Sequence, residues 1–197
     1  TAFGIYSLGG LTAATNTKTI NTNTINMSGT NSGQSIGIII GYGNGTINNN
    51  SITINNASTD PNGIWANQTG AAAFTITGNT LSLTSNATAP TSMIGISGGA
   101  IGPFQIYSNT FSALNFTGII TTSPTVSGIS VSVGTGNNIY SNAINNISIG
   151  AATSSGSPVI RAINISGGVS TNAYKNKIYA VCGIKDGHYD GHVSWFD

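Results

Sequence analysis

The sequence predicts an all-β fold, a right-handed parallel β-helix of about five to six coils, and two interleaved series of residues support this prediction. In the first series, an asparagine is followed two residues later by a large apolar residue, at steps of 27, 29, 30, 33 and 34 residues. In the second series, which runs out of phase with the first, a glycine or alanine precedes an isoleucine. Two series that share one period indicate one structural unit per coil of a solenoid.

The asparagine series has apolar residues three positions before each asparagine and two positions after it. Its members are Asn23, Asn50, Asn79, Asn109, Asn142 and Asn176. Polar residues stand between the apolar ones, which is the period-two alternation of a strand with one buried face. Because the two apolar positions are an odd number of residues apart, we predict a bend at the asparagine itself, a residue that tolerates left-handed backbone. Stacked coils would then align these side chains in an asparagine ladder.

The second series predicts another strand in each coil. Its members are Gly4, Gly37, Gly63, Gly95, Gly128 and Ala162. The segments that lead into these strands contain Pro61, Pro90, Pro124 and Pro158, and we expect these prolines where the chain leaves the sheet, because proline cannot donate a ladder hydrogen bond. These segments lengthen along the chain through residues 84–92, 112–127 and 145–161, whereas the opposite connection stays at 14 residues after Gly95.

The variable, proline-containing loops are the predicted contact surface for a partner. Insertions in solenoid repeats often fall on the binding face, so a surface glycan or a protein would be contacted there. The alternative is that the loops vary because nothing constrains them. Unpaired strand edges at the ends of a solenoid further predict end-to-end self-association.

The β-helix is predicted to span residues 1–182 and to be followed by a non-repeat tail at 183–197, which would be a cap, a linker or the start of a following segment. The tail contains both histidines of the chain. Asp186, His188, Asp190 and His192 are spaced so that they could surround a metal ion. The interpretation as a polar, turn-rich cap is preferred, because no predicted element fixes these side chains.

Composition argues against several classes of function. The net charge is +1 and only 5% of residues are charged, so nucleic acid is not an expected partner. The longest apolar run, at 36–42, is too short to span a bilayer. Before Arg161 the chain contains one acid, Asp60, and one base, Lys18. Glycoside hydrolysis requires two carboxylates and Ca²⁺ sites require several, so we predict neither an enzyme nor a cofactor.

Three short runs carry a resemblance to a known class of proteins. Asn138-Ile-Tyr-Ser-Asn-Ala-Ile144, Tyr174-Lys-Asn-Lys-Ile-Tyr179 and Gly4-Ile-Tyr6 resemble the repeats of large secreted β-helix proteins of the Bacteroidota, within the wider pectate-lyase-like superfamily. The resemblance covers about residues 1–182. It implies an extracellular or cell-surface location, export by the type IX machinery, and a longer parent polypeptide of which this chain is a piece.

Two sets of predicted outward residues suggest surfaces. Tyr107, Tyr140 and Tyr174 should stack, either as a glycan contact or, as we prefer, as stabilisers of the sheet. The columns Thr24, Ser51, Thr80, Thr110 and Thr19, Thr46, Thr75 suggest a flat hydroxyl face. The leading hypothesis is a non-catalytic structural or adhesive module. The alternatives are an ice-binding solenoid and a degenerate polysaccharide-binding or lyase-like β-helix.

Overall fold

A computed structural model describes residues 1–8, 17–66, 73–99, 102–150, 157–185 and 188–190, the residues 182–185 and 188–190 as backbone only. The described residues form three parallel sheets, which we call A, B and C. Sheet A contains β1 (Ala2–Ser7), β4 (Gln34–Ile40), β7 (Asp60–Ala66), β10 (Ser92–Gly98), β13 (Thr125–Val131) and β16 (Val159–Ile165). Sheet B contains β2 (Thr17–Asn21), β5 (Asn44–Asn48), β8 (Phe74–Thr77), β11 (Phe104–Tyr107), β14 (Thr135–Tyr140) and β17 (Val169–Tyr174). Sheet C contains β3 (Thr24–Gly29), β6 (Ser51–Asn56), β9 (Thr80–Ser85), β12 (Thr110–Phe116), β15 (Ala143–Ile149) and β18 (Lys177–Lys185).

The chain visits sheets A, B and C in turn, and each visit to all three makes one coil. Each strand from β1 to β15 therefore pairs in parallel with the strand three elements later, as β4 does with β7. Five turns separate the first coil from the last, which gives a rise of about 24 Å at the usual strand spacing. The predicted parallel β-solenoid with stacked asparagines is confirmed. No helix in the described residues is long and apolar enough to cross a membrane.

The core consists of like side chains stacked from coil to coil. On sheet B, Ile47, Ile76 and Ile106 follow one another in register and are fully buried. Phe74 and Phe104 stack inside the same sheet with ring centroids 5.6 Å apart. Because each side chain packs on its equivalent in the next coil, one apolar position in the repeat is sufficient to fill one column of the core.

The glycine series lies where sheet A approaches sheet C too closely for a side chain. A Cβ at Gly63 would lie 2.4 Å from the Leu81 side chain and 2.5 Å from the carbonyl oxygen of Gly95. The same two obstacles, a side chain of sheet C and the backbone of the next coil, confront Gly37 and Gly95. In the sixth coil Ala162 is tolerated, because among the described residues no further coil covers it.

The left-handed bend is not at the asparagine, and this part of the sequence prediction is wrong. The left-handed residue is the one before it, with φ between 54° and 65°. These residues are Thr22, Asn49, Gly78, Ser108, Ser141 and Lys175. All except Gly78 are exposed. The preceding residue thus makes the corner with its side chain in solvent, and the asparagine is left free to point its amide along the stack.

The position of one proline and the end of the last long strand differ from the sequence prediction. Pro61 lies inside β7 and is buried, whereas Pro90, Pro124 and Pro158 lie outside strands as predicted. Pro61 is the second residue of β7, and the pairing of β7 with β10 begins only at Asn62. At the other end of the chain, β18 continues to Lys185 and pairs in antiparallel fashion with β19 (His188–Asp190).

Candidate functional site

The asparagine ladder stands at the corner between sheets B and C and runs through all six coils. Each of the first five asparagines donates from its backbone nitrogen and from Nδ2 to Oδ1 of the asparagine in the next coil, at 2.9–3.1 Å. The four inner members, Asn50, Asn79, Asn109 and Asn142, are at most 1% exposed. The ladder predicted from sequence is therefore present, and every bond in it points the same way along the axis.

Each inner asparagine also ties its own corner to the coil behind it. Nδ2 of Asn109 donates to the carbonyl oxygens of Ile76 and Tyr107 at 2.9 Å and 3.1 Å. Since Asn109 Oδ1 accepts two bonds from Asn79, the whole amide is satisfied inside the protein. A buried amide with all its partners rigidifies the structure around it, whereas a half-satisfied one would be costly.

The three tyrosines form a column on the outer face of sheet B, in β11, β14 and β17. Tyr107 and Tyr140 stack with centroids 4.8 Å apart and planes 8° apart, and Tyr140 and Tyr174 at 5.1 Å and 3°. Both faces of the Tyr140 ring are thus covered by neighbouring rings. Burial, followed by the neighbouring Tyr107 and Tyr174 hydroxyls, raises the pKa of Tyr140. This geometry favours the stabilising role, because a sugar can reach only ring edges and the outermost face. A glycan contact stays a hypothesis.

Beside the tyrosines runs a second, outward amide ladder that the sequence analysis missed. Asn172 donates to Asn138 at 3.1 Å, and Asn138 donates to Gln105 at 3.2 Å. The signal was present in the sequence, since these residues stand two positions before the tyrosines. The outer face of sheet B is therefore aromatic and amide-rich in coils four to six.

The two hydroxyl columns lie on different sheets, which corrects the prediction of a single flat hydroxyl face. Thr19, Thr46 and Thr75 are on sheet B, whereas the column of Thr24 is on sheet C. Sheet C itself presents a regular outward array in its first four coils. Its three columns are Thr24, Ser51, Thr80, Thr110; Asn26, Thr53, Ser82; and Ser28, Asn55, Thr84, Asn115. The register is continuous through β3, β6 and β9, and it shifts in β12 between Phe111 and Ala113.

The outer face of sheet A carries an apolar patch in the first three coils. Its members are Phe3, Tyr6, Ile36, Ile39 and Trp65. Ile36 and Ile39 are buried but do not belong to the inner core, while Phe3 and Tyr6 are 42% and 58% exposed. Trp65 is half-buried on this outer face. This apolar patch is difficult to recognise in the sequence, because the glycine in the middle of each sheet A strand shifts the alternation of inward and outward side chains by one residue.

Asp60 and Lys18, the two charged residues that precede Arg161, are engaged in structural bonds. Asp60 accepts hydrogen bonds from Gln34 at 2.7 Å, from Asn62 at 3.1 Å and from the Ser92 hydroxyl, and these donors come from three successive coils. Lys18 donates to the carbonyl oxygens of Ser7 and Gly41, and burial lowers its pKa.

The proline-containing loops are bonded to one another. The hydroxyl of Thr91 donates to the Thr59 carbonyl at 3.1 Å, and that of Thr121 to the Thr88 carbonyl at 2.8 Å. Ser157 donates from its backbone nitrogen to the Ser123 hydroxyl at 3.0 Å. The described residues of these loops therefore contact those of the preceding coil in the same sense as the strands do.

The metal candidates of the tail fall outside the residues whose side chains are described. Asp186 and His192 are not described, and His188 and Asp190 are described as backbone in β19. Within the described part of the chain, no group of three or more His, Cys, Asp or Glu residues could hold a metal ion.

Three features of the described residues bear on function: the asparagine ladder, the tyrosine column and the outward array of sheet C. Comparison with known proteins adds no relative, since no protein-family model, curated protein or solved structure matches this chain.

Proposed function

We propose that this chain is a non-catalytic structural module of a secreted or cell-surface protein, a stiff spacer whose side faces are available for adhesion. The observation that carries the proposal is the asparagine ladder, because it joins all six coils by side-chain hydrogen bonds parallel to the axis. Backbone ladders already join the coils along three sheets. A fourth, buried line of bonds at a corner resists both bending and separation of the coils.

The contacts of Asp60 and Lys18 support the same proposal. The Asp60 carboxylate binds three neutral donors, and the Lys18 ammonium binds backbone carbonyls. General acid–base catalysis needs titratable groups that reach a substrate. The resemblance of the repeats to pectate-lyase-like proteins exported by the type IX system adds support for an extracellular location and for a longer parent chain.

A mechanical experiment tests the spacer role. In single-molecule pulling between handles at the two termini, Asn109→Ala should lower the unfolding force, whereas Asn55→Ala should not. Asn55 is the matched control, because it is an exposed asparagine of sheet C. Equal unfolding forces for the two variants would show that the asparagine ladder is not the basis of the stiffness. Reproducible cleavage of pectin or alginate by the purified chain, lost in Asp60→Asn, would overturn the non-catalytic assignment.

An adhesion assay tests the side faces and the loops. Binding to immobilised polysaccharides or to surface proteins should be lost on deletion of 151–157 if the variable loops make the contact, and on Tyr174→Ala if the tyrosine column does. Charge is scarce, so binding should depend weakly on salt. Binding that survives both changes with the fold intact would leave the loops and the column as passive structure.

Ice binding is the second candidate, and the outward array of sheet C favours it. Threonine, serine and asparagine repeat there every second residue along a strand and at the same register between strands. The fixed spacings of a sheet, about 4.8 Å between strands and about 6.6 Å between alternate residues, offer a regular lattice of hydroxyl and amide groups. Ala143 in coil five and Lys177 in coil six end the first column.

Thermal hysteresis separates this candidate from the first. If ice is the ligand, Thr80→Lys should abolish the activity, because Thr80 is exposed in the middle of the array. Thr19→Lys is the matched control, since it introduces the same charge at an exposed threonine of sheet B. No thermal hysteresis in the unmodified chain would eliminate ice binding.

A further inference from the structure

The outward column of sheet B that contains the tyrosines changes abruptly in size in the middle of the solenoid. From the first coil to the sixth, its members are Asn21, Asn48, Thr77, Tyr107, Tyr140 and Tyr174. Tyr140 covers one face of the Tyr107 ring, but on the other side the column continues with the short side chain of Thr77. The stack of aromatic rings therefore ends at Tyr107, with further coils on both sides of it.

Thr77 stands between two longer side chains and forms the floor of a slot. In register with it, Tyr107 lies one strand after it and Asn48 one strand before it, so the backbones of the two walls are about 9.6 Å apart. Neighbouring rings of the column are separated by 4.8 Å and 5.1 Å, close to one strand spacing. One further ring on the open face of Tyr107 would therefore lie directly over Thr77. We call the feature formed by Asn48, Thr77 and Tyr107 the sheet B slot.

Polar groups without protein partners surround the sheet B slot. Among the described residues, Oδ1 of Asn48 is the one buried side-chain nitrogen or oxygen that makes no hydrogen bond. Gln105, which lies on β11 beside Tyr107, accepts from Asn138 through Oε1, but its Nε2 donates to no described residue. Buried polar atoms in native structures nearly always have partners, so the unpaired acceptor of Asn48 points to a ligand that supplies a donor.

The chemistry of the sheet B slot fits an uncharged sugar ring. A pyranose presents C–H groups on its faces and hydroxyl groups around its rim. It can therefore stack on Tyr107 while its hydroxyls donate to Asn48 Oδ1 and accept from Gln105 Nε2. An aromatic side chain of a protein partner would fill the same space but would leave these polar groups unpaired. A uronate would lack a counter-ion, because β5, β8 and β11 contain no charged residue.

We propose that the sheet B slot binds one uncharged pyranose unit of a glycan, stacked on Tyr107 above Thr77. This inference rests on the adhesive role proposed above and assigns that role to one place on the side of the solenoid. Because a single sugar ring makes few contacts, the dissociation constant should be about 1 mM.

A ligand-observed NMR titration of the unmodified chain tests the class of ligand. The probes are hexasaccharides of glucose, mannose, galactose and xylose, with a hexasaccharide of galacturonate as the charged counterpart and N-acetyltyrosinamide as the aromatic one. At least one neutral hexasaccharide should bind, and it should bind more tightly than the galacturonate probe and N-acetyltyrosinamide.

Filling the sheet B slot tests the location. Thr77→Tyr continues the aromatic stack into the slot and should weaken binding of the neutral probe by about tenfold or more. Thr19→Tyr, which adds the same ring at an exposed threonine of the same sheet in the first coil, is the matched control and should bind like the unmodified chain. Tyr107→Ala should also lose binding, whereas Tyr107→Phe keeps the ring and should retain it. Circular dichroism verifies that each variant is folded.

Several outcomes would overturn the proposal. Unchanged affinity in a folded Thr77→Tyr would show that the ligand does not occupy the slot. A neutral glycan that is lost on Tyr174→Ala or on deletion of 151–157, but not on Tyr107→Ala, would refute the slot and leave the adhesive role standing. If no neutral probe binds well above the expected dissociation constant, the slot is wrong, and the pulling experiment alone decides the spacer role. Tighter binding of N-acetyltyrosinamide would assign the slot to an aromatic side chain of a protein partner.

Discussion

Replacing Asn109 by alanine is the most direct test of what holds the coils together. The substitution removes Oδ1, which accepts from the backbone nitrogen and Nδ2 of Asn79 at 3.0 Å and 2.9 Å. It also removes Nδ2, which donates to Ile76, Tyr107 and Asn142. After the substitution, Asn79 Nδ2 still donates to the carbonyl oxygens of Ile47 and Thr77. The backbone nitrogen of Asn79, however, loses its acceptor.

The magnitude follows from these losses. A buried donor left without an acceptor costs about 1–3 kcal/mol, and each lost neutral hydrogen bond contributes about 1 kcal/mol. Because Asn79 Nδ2 and Asn142 Oδ1 keep other partners, we expect Asn109→Ala to lower the free energy of unfolding by about 2–4 kcal/mol. Asn23→Ala should cost less, because Asn23 is only half-buried and accepts no bond from the described residues.

Denaturant unfolding followed by circular dichroism measures these differences, provided that the m-value is unchanged. Asn55→Ala is the control and should change the unfolding free energy by less than about 0.5 kcal/mol, because its side chain is exposed. A change below about 0.5 kcal/mol for Asn109→Ala would refute the reasoning. Equal effects at Asn109 and Asn55 would show that burial of the amide does not matter.

Three further predictions concern the sheets, the corners and the tyrosine column. Gly63→Ala should lower the unfolding free energy by about 2 kcal/mol or more, because its Cβ meets Leu81 and backbone, whereas Gly33→Ala, with nothing closer than 3.8 Å, should be nearly neutral. Ser141→Gly should leave stability unchanged or raise it by up to about 1 kcal/mol in the same assay, since relief of a left-handed backbone offsets the entropy of glycine. The pKa of Tyr140 is raised in the folded state, so the unfolded chain ionises first and stability should fall as pH rises from about 10 toward the folded pKa. Tyr140→Phe should remove that part of the fall, and an ultraviolet titration in which Tyr140 ionises with the free amino acid would contradict the prediction.

The sequence was sufficient to predict the solenoid, because each column of the core uses one position of the repeat. Ile47, Ile76 and Ile106 could be aligned without coordinates, and alignment of the asparagines placed the ladder. The ladder could be predicted without knowledge of the backbone angles, because equivalent residues of successive coils stack whatever conformation the corner adopts. The tyrosine column followed by the same logic, since a residue two positions before each asparagine must face its equivalent in the next coil.

What the sequence alone determined is therefore the content of each column: which residues repeat, and so which stack upon each other. The tertiary structure alone decided how the columns are arranged around the axis. Only the fold reveals that Ser108, and not Asn109, takes the left-handed conformation, that Thr19 and Thr24 face outward from different sheets, and that Ile36 lies on an outer face beside Phe3. The reason is physical. Stacking depends on the period of the sequence, whereas the direction in which a side chain points depends on corners and on glycine-shifted alternation, which are settled by contacts between sheets.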